Sequence, residues 1–199
     1  MSQQEFWNGK FSKADFFYGT NPNEFLASNL ELVKSQKKML CLGEGEGRNA
    51  IFFAKNGFDV TAIDASNLGL EKLQIRAEKE NLDIKTVCMD LNLWKAVEKY
   101  DVIVASYLHM YKNEREELFK KIEESLNIDG YFIGEFFSTK QLSYSSGGPK
   151  DLDLLYTTED FTNYFQNCKK KVSEEIVNLD EGIGHQGEAC VIRVVIKRV

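Results

Sequence analysis

The chain alternates between two hydrophobic patterns: short apolar runs, and segments with an apolar residue every three or four positions. The apolar runs predict five strands, at residues 38–42, 58–63, 84–89, 101–106 and 131–137. The segments with helical spacing lie between them, at residues 48–56, 67–80, 93–98 and 113–126. Strands that alternate with helices in this way indicate βαβ units and a parallel sheet. Because the runs do not alternate strictly with polar residues, we expect both faces of the sheet to be covered.

The end of the chain departs from this rhythm. After a helical segment at residues 158–165, two β-rich segments at residues 171–179 and 188–199 are joined by a glycine-rich turn. Two strands joined by a turn pair in an antiparallel way. The pattern therefore predicts an α/β fold with a seven-stranded sheet, in which five parallel strands are followed by a C-terminal antiparallel hairpin and helices cover both faces.

The length of 199 residues predicts one domain, spanning residues 1–199. Within it, residues 1–36 are expected to form an aromatic and helical cover, and residues 37–199 the sheet and its helices. Residues 138–156 follow the fifth strand without regular periodicity. A loop of this length is usually a lid or a binding loop, so we expect it to close over a ligand or to contact a substrate.

The balance of charge narrows the range of partners. Lysine and arginine total 25 against 31 acidic residues, a net charge of −6, which argues against nucleic-acid binding. The chain shows no long apolar run and no signal-peptide order, so the sequence predicts no membrane segment and a cytoplasmic location. No metal site is expected, since the four cysteines are far apart and lack a CxxC spacing. The pattern does not indicate an oligomeric state.

A glycine-rich loop follows the first predicted strand. Gly43, Gly45 and Gly47 lead into the next helix, and this loop also satisfies the GxGxxA pattern of dinucleotide-binding proteins. A dinucleotide would bring a pyrophosphate to the start of that helix, where Glu44 and Glu46 would repel it. S-adenosylmethionine carries a sulfonium and an ammonium instead, so the charge of the loop favours this cofactor.

Two aspartates end the next two predicted strands. Asp64 lies 21 residues beyond Gly43, where a carboxylate accepts hydrogen bonds from ribose hydroxyls. Asp90 and Leu91 follow the third strand and would bracket an adenine. Either aspartate alone is equally consistent with capping the element that follows it. Together, at successive strand ends beside the glycine loop, they favour a nucleoside site.

The chain resembles the class I S-adenosylmethionine-dependent methyltransferases, and in particular the group similar to tellurite-resistance and thiopurine methyltransferases. The segments LCLGEGEGRNA and GFDVTAID, the DL pair after the third strand and the terminal hairpin carry this resemblance, which covers nearly the whole chain. It implies a Rossmann-like sheet and methyl transfer from S-adenosylmethionine to a small-molecule acceptor by in-line displacement, with S-adenosylhomocysteine as product. The family loop usually has an aspartate where this chain has Cys41, which leaves open the partner of the methionine ammonium.

The resemblance also implies a set of cofactor-binding residues. The glycines of the loop would line the methionine portion, the second-strand aspartate would bind the ribose, and the residues after the fourth strand would face the substrate. Aromatic residues near the N-terminus resemble a segment that covers the cofactor in the thiopurine relatives, although packing onto the sheet edge is an alternative role for them. The full set is Trp7, Phe11, Tyr18, Gly43, Glu44, Gly45, Gly47, Asp64, Ala65, Asp90, Leu91, Ser106 and Tyr107.

Two histidines are candidates for catalysis, because a base that works near neutral pH is most often histidine. His109 follows the fourth strand and His185 lies in the glycine-rich turn of the terminal hairpin. Their alternative roles are to orient a loop and to shape the turn. Lys150, Asp151 and Asp153 lie in the long loop and are candidate substrate contacts. Methyl transfer depends mainly on proximity and orientation, so no fixed catalytic triad is required.

Two other functions are compatible with parts of the pattern. A noncatalytic S-adenosylmethionine-binding module would show the same cofactor residues. A nicotinamide-dependent oxidoreductase would share the glycine loop, but the YxxxK pair of the short-chain dehydrogenases does not occur in the chain. Amino-methylating enzymes of nucleic acids carry adjacent prolines, whereas Pro22 and Pro149 are far apart.

Overall fold

The apolar runs form one sheet of seven strands. The computed structural model describes residues 2–13 and 15–199; Met1 and Ala14, within the predicted cover, lie outside the described residues. The strands are β1 (Lys38–Leu42), β2 (Asp59–Asp64), β3 (Ile84–Cys88), β4 (Tyr100–Ser106), β5 (Leu126–Phe137), β6 (Cys168–Glu181) and β7 (His185–Arg198). Their order is β3-β2-β1-β4-β5-β7-β6. β1 to β5 are parallel, and β6 and β7 pair antiparallel, which confirms the predicted sheet.

Helices cover both faces of this sheet. They are α1 (Gln3–Phe11), α2 (Glu24–Ser28), α3 (Leu30–Val33), α4 (Arg48–Lys55), α5 (Asn67–Lys79), α6 (Lys112–Ser125) and α7 (Glu159–Thr162). Side chains of β1 point alternately to the two faces. Leu40 and Leu42 pack in the cluster that contains residues of α6 and α7. Met39 and Cys41 pack with residues of α2 to α5. None of the helices in the described part of the chain is long and apolar enough to cross a membrane.

The predicted helix at residues 93–98 is absent from the structure. A turn at residues 91–93, in which Asn92 N donates to Asp90 Oδ1 at 2.9 Å, leads into a segment without regular structure. Trp94 is buried in the core, but Leu93 and Val97 are 71% and 83% exposed. The apolar spacing therefore does not mark a single buried face. The helix predicted at 158–165 is also shorter, since only Glu159–Thr162 is helical.

The terminal hairpin is longer than its sequence pattern predicts. β6 and β7 have 14 residues each, and their pairing extends to Glu181 and His185 beside the turn. The extra length comes from polar residues next to the turn. They pair through backbone hydrogen bonds between β6 and β7, which do not depend on an apolar pattern in the sequence. The hairpin consequently carries its turn up to the edge where the parallel strands end.

Residues 138–156 form a folded loop. It contains two 3-10 helices, Thr139–Ser143 and Leu152–Leu154, and its ends meet in a bridge between Ser138 and Tyr156. Inside the loop, the buried Gln141 donates to Ser146 Oγ and accepts from Cys190 N of β7, at 2.9 and 2.8 Å. The loop is thus fixed to the terminal hairpin.

Candidate active site

A cavity lies at the carboxyl ends of β1 to β4, where the strand order reverses between β1 and β4. This is the position at which open α/β sheets bind ligands. The space between its walls is about 840 Å³, part of which is open to solvent. Twelve of the thirteen predicted cofactor-binding residues line it, namely Trp7, Phe11, Tyr18, Gly43, Glu44, Gly45, Asp64, Ala65, Asp90, Leu91, Ser106 and Tyr107.

The glycines of the loop are required by the protein's own packing. Gly45 has a φ of +60°, and a Cβ there would lie 2.9 Å from the ring of Phe11. Gly47 has a φ of +88°, and a Cβ there would overlap the side chain of Leu73 of α5. Side chains other than glycine rarely adopt this left-handed region. Gly47 does not line the cavity, so its contribution is the tight turn that brings α4 against α5.

Glu44 caps the helix that follows the loop. Its Oε1 accepts hydrogen bonds from Asn49 N at 2.9 Å and Ala50 N at 2.7 Å. These are N–H groups of the first turn of α4, which lack partners within the helix, and the residue before the helix is glycine. Burial raises the pKa of the Glu44 carboxyl to about 7. Glu44 therefore lines the cavity as a partly neutral cap.

Glu46 ties the N-terminal segment to the loop. Its carboxylate accepts from Lys72 Nζ at 2.6 Å and from Phe17 N at 2.7 Å. The charge of Glu46 is thus compensated by a lysine of α5. The second loop acid contributes to the site by holding the chain near Phe17 against the cavity.

Asp64 fixes the glycine loop from the end of β2. Its Oδ2 accepts from Gly45 N at 2.8 Å and its Oδ1 from Ser66 N at 2.7 Å. Each carboxylate oxygen has a second lone pair, which remains available to a hydroxyl in the cavity. Burial raises the pKa of this carboxyl to about 6. Asp90 both lines the cavity and accepts from the backbone of the next turn, so capping and cavity roles coincide there.

Helix α1 contributes Gln3, Trp7 and Phe11 to the wall of the cavity. Asn8 attaches it to the start of α5: its Nδ2 donates to Asn67 Oδ1 at 2.9 Å, and its Oδ1 accepts from Ser66 Oγ at 2.6 Å. The ring of Trp7 stacks on Phe11, with centroids 5.7 Å apart. The aromatic residues of the cover thus form part of the cavity wall and do not pack only on the sheet edge.

His185 is held by a carboxylate of the same hairpin. Its Nδ1 lies 3.1 Å from Glu181 Oε2, and its ring packs against Tyr18 and Tyr107 with centroids 4.5 and 4.4 Å away. Burial lowers the pKa of His185 in spite of Glu181, which acts in the opposite direction. Arg48 also binds Glu181 and helps keep this carboxylate ionised. The imidazole is therefore neutral at neutral pH and lines the cavity.

The ring of His109 lies 5.1 Å from the ring of Trp7, measured between centroids. Burial lowers the pKa of His109 to about 4, and the positive charges of protonated His185 and of Lys10 act in the same direction. Both predicted histidines consequently line the cavity as neutral imidazoles, able to accept a proton.

Sequence reasoning missed a buried polar network below the cavity. Glu135 of β5 accepts from Tyr107 Oη at 2.6 Å, from Asn23 Nδ2 at 2.7 Å and from Arg193 Nε at 2.6 Å. Asn23 also donates to Glu181 at 3.1 Å, which links this network to His185. A signal was present in the sequence: the apolar strands FIGEFF and CVIRVV each contain one charge, and their antiparallel register pairs the two.

A second cavity adjoins the first. Lys150 and Asp151 line it, as expected for substrate contacts, but Asp153 does not. The backbone of Asp153 is used structurally, since its carbonyl accepts from Arg115 Nη2 at 2.6 Å. The two cavities share four lining residues, which are Gln3, Trp7, Tyr18 and His109.

The sequence places the chain among known proteins. A model of the family described as tellurite resistance protein TehB matches residues 10–195. The chain belongs to the TehB family. Two proteins named probable S-adenosyl-L-methionine-dependent methyltransferase TehB, from two strains of Haemophilus influenzae, are 36% identical over 101 residues and 33% identical over 124 residues. These matches cover 50% and 60% of this chain but 35% and 43% of the relatives, so the chain spans less than half of their length.

Solved structures share the fold of this TehB family member. TehB from Haemophilus influenzae superposes with a TM-score of 0.74 at 21% identity, over 100% of this chain and 68% of that one. The N-methyltransferase NodS from Bradyrhizobium japonicum, in complex with S-adenosylhomocysteine, also superposes with a TM-score of 0.74. It is 12% identical, and the superposition covers 100% of this chain and 99% of that one. The predicted resemblance to the tellurite-resistance group is thereby confirmed, and so is the Rossmann-like fold.

Proposed function

We propose that the protein transfers a methyl group from S-adenosylmethionine to a small-molecule acceptor by in-line displacement. The observation that carries this proposal is the pair of adjoining cavities: one lies at the switch point of the sheet, and the other meets it at a shared wall. In-line displacement needs a donor and an acceptor that approach from opposite sides of the transferred carbon. Two compartments with a common wall suit that requirement.

The first cavity fits the donor. Asp64 offers buried carboxylate oxygens at the end of β2, where they would accept hydrogen bonds from the two ribose hydroxyls. Asp90 and the apolar Leu91, which both line the same wall, would flank the adenine, and the loop at Gly43 and Gly45 would face the methionine portion. The donor, when bound, supplies a methyl group on a positively charged sulfur.

The chain's own contribution to the reaction is orientation and, for a protonated acceptor, proton removal. Nε2 of His185 is the atom that Glu181 leaves free, because Nδ1 faces the carboxylate. A neutral imidazole oriented by a carboxylate has the arrangement of a general base. His109, on the wall that both cavities share, is the second candidate. Orientation of the reactants supplies up to about 7–11 kcal/mol of such a barrier.

Two segments close the site in this proposal. The cover of residues 1–36 shuts the donor cavity through α1, and the loop of residues 138–156 borders the acceptor cavity through Lys150 and Asp151. Exclusion of water protects the sulfonium from hydrolysis and strengthens the electrostatic interactions inside the site. The whole of residues 1–199 then acts as one methyltransferase domain.

The test is calorimetric titration with S-adenosylmethionine, S-adenosylhomocysteine and NAD, followed by an acceptor screen that detects S-adenosylhomocysteine formation. We expect both sulfur compounds to bind and NAD not to bind. Asp64→Asn should weaken S-adenosylhomocysteine binding by about tenfold to a hundredfold, because it removes a charge-assisted hydrogen bond worth about 1.5–3 kcal/mol. Asp59→Asn, an exposed carboxyl at the other end of β2, is the matched control.

Three results contradict the proposal. Tight NAD binding without donor binding would point to a dinucleotide enzyme. Unchanged affinity in Asp64→Asn would remove this carboxylate from the site. Donor binding without transfer to any thiol, phenol, amine or oxyanion in the screen would indicate a noncatalytic module.

A further inference from the structure

The wall of the second cavity is rich in aromatic rings. Five rings line it, from Phe6, Trp7, Phe17, Tyr18 and Tyr111. They come from α1, from the segment after it and from the start of α6, so three parts of the chain converge there. Flat rings arranged around an opening offer stacking and edge contacts to a planar ligand. Aliphatic side chains are few in comparison, with Leu154 and Ile183 on this wall.

Two lysines stand among these rings. Lys10 Nζ lies 5.0 Å from the ring centroid of Phe17 and 5.9 Å from that of Phe6, within the distance of a cation–π contact. Lys150 Nζ donates to the carbonyl of Tyr144 at 3.2 Å. Neither lysine forms an ion pair with any residue in the ranges 2–13 and 15–199. Their remaining N–H groups are therefore available to an anion.

The second cavity contains one carboxylate, that of Asp151. Its Oδ1 accepts from Asp153 N at 3.0 Å and caps the short helix Leu152–Leu154. This carboxylate is thus occupied with local structure. His109 contributes no positive charge near neutral pH, because its pKa is lowered to about 4. The lysines leave the cavity with a net positive balance.

The first cavity has an acidic wall, although Lys72 pairs with Glu46 and Glu44 is partly neutral near pH 7. Its wall contains one cation, which pairs with Glu181, and four carboxyl groups, those of Glu44, Glu46, Asp64 and Asp90. A chain with a net charge of −6 thus presents acids to one compartment and lysines to the other. Opposite charges in neighbouring compartments would draw a cationic donor and an anionic acceptor towards the same wall.

We propose that the second cavity binds a planar aromatic acceptor that carries an anionic group, whose ring packs on the aromatic wall while Lys10 and Lys150 bind the anion. This inference rests on the proposed function, since it names the class of acceptor for that reaction. The acceptor's nucleophilic atom would face the shared wall of Trp7, Tyr18 and His109. The anion would remain at the lysines during the transfer.

The experiment measures binding of three small probes to the full chain by calorimetry, with and without saturating S-adenosylhomocysteine. The probes are 1-naphthoate, the uncharged 1-naphthamide and the non-aromatic cyclohexanecarboxylate. We expect 1-naphthoate to bind at least about tenfold more tightly than either of the others. Each ion pair with a lysine adds only a little binding free energy, but two of them add up, and only the naphthyl ring stacks on the aromatic wall. The preference for the acid over the amide should also decrease as salt is added.

Variants then assign the preference to the lysines. In K10M/K150M, the preference for naphthoate over naphthamide should fall below about twofold, while the affinity for naphthamide stays the same. K95M/K120M, which changes two exposed lysines that line neither cavity, makes the same change of charge elsewhere and should retain the preference. The substituted side chains lie at the surface or half-buried, so loss of folding is not expected.

Four outcomes would overturn the inference: no binding of naphthoate at millimolar concentration, equal affinity for naphthamide, equal affinity for cyclohexanecarboxylate, or a preference that persists in K10M/K150M. The proposed function is tested separately. A protein that binds S-adenosylmethionine and methylates only uncharged acceptors would retain its proposed function and lose this one. A protein that prefers naphthoate but does not bind S-adenosylmethionine would lose the proposed function and keep the anionic aromatic site.

Discussion

Glu44 and Asp64 are buried acids of the site, and two opposing effects determine their pKa values. Each accepts two backbone hydrogen bonds, which favour the ionised form, yet burial has the larger effect and raises both pKa values. Removal from water penalises a carboxylate more than a few amide dipoles compensate. The glycine loop is therefore held by groups that titrate close to neutral pH.

Stability should consequently fall as pH rises. The pKa of Glu44 increases from 4.5 to about 7 on folding, so the folded chain binds more protons than the unfolded chain between these values. The free energy of unfolding then decreases through this window, by on the order of 3 kcal/mol from Glu44. Glu44→Gln keeps an acceptor oxygen and should flatten the decrease, as measured by urea unfolding at pH 5, 6, 7 and 8.

The control is Glu31→Gln, which changes an exposed acid on α3 and should leave the slope of wild-type stability against pH unchanged. An equally steep slope in Glu44→Gln would show that Glu44 is not the group responsible.

At the scale of elements, the cover depends on close contact between α1, the glycine loop and α5. Gly69 lies in the first turn of α5, and a Cβ there would come 2.9 Å from the carbonyl oxygen of Gly45 and 3.0 Å from the ring of Phe11. Three elements therefore meet at one glycine. Any added side-chain atom would push the cover away from the loop.

Gly69→Ala should separate helix propensity from closure of the site. Alanine favours an isolated helix by about 1 kcal/mol over glycine, but here its methyl group displaces Phe11 or the loop. We expect S-adenosylhomocysteine affinity to fall by about tenfold with little gain in stability. Gly9→Ala is the matched control within α1, since a Cβ at Gly9 would have nothing within 4 Å. It should stabilise the chain and leave affinity unchanged; equal affinities in both variants would contradict this account.

The elements that could be predicted from sequence are those in which the apolar residues are also the buried residues. β1, β2, β4 and α4 to α6 meet that condition, and so does the glycine loop that follows β1. β3 was also predicted, although only Ile84 of its five residues is buried. The segment at 93–98 does not, because the exposed Leu93 and Val97 mimic a buried helical face. The pair of Glu135 and Arg193 could not be assigned either, since it depends on the register of two strands that are 58 positions apart.

At the scale of the whole molecule, the network around Glu135 joins distant parts of the chain. Asn23 belongs to the cover, Tyr107 follows β4, and Arg193 lies on β7. A single carboxylate whose side chain is 2% exposed thus connects the cover, the cavity floor and the terminal hairpin. A buried network in which every polar group has a hydrogen-bond partner can stabilise the fold by more than the sum of its pairwise contacts.

Glu135→Gln should destabilise the whole chain. The change weakens the pairing with Arg193, which keeps Glu175 as its second partner at 2.9 Å, and it replaces charge-assisted hydrogen bonds worth about 1.5–3 kcal/mol. Urea unfolding should show this as a lower midpoint. Glu98→Gln, which removes exposed ion pairs with Lys38 and Lys85, should cost less than about 1 kcal/mol. A similar small cost for both variants would mean that the network adds little.

The placement of the two tryptophans has an optical consequence. Trp94 is buried in the core at 6% exposure, whereas Trp7 is half-buried and lies on the wall that both cavities share. Indole emission responds to its surroundings, so a ligand in either compartment should change the fluorescence of Trp7 and leave that of Trp94 constant. With Trp94→Phe, the chain carries one emitter, and it reports occupancy of the site without any added label.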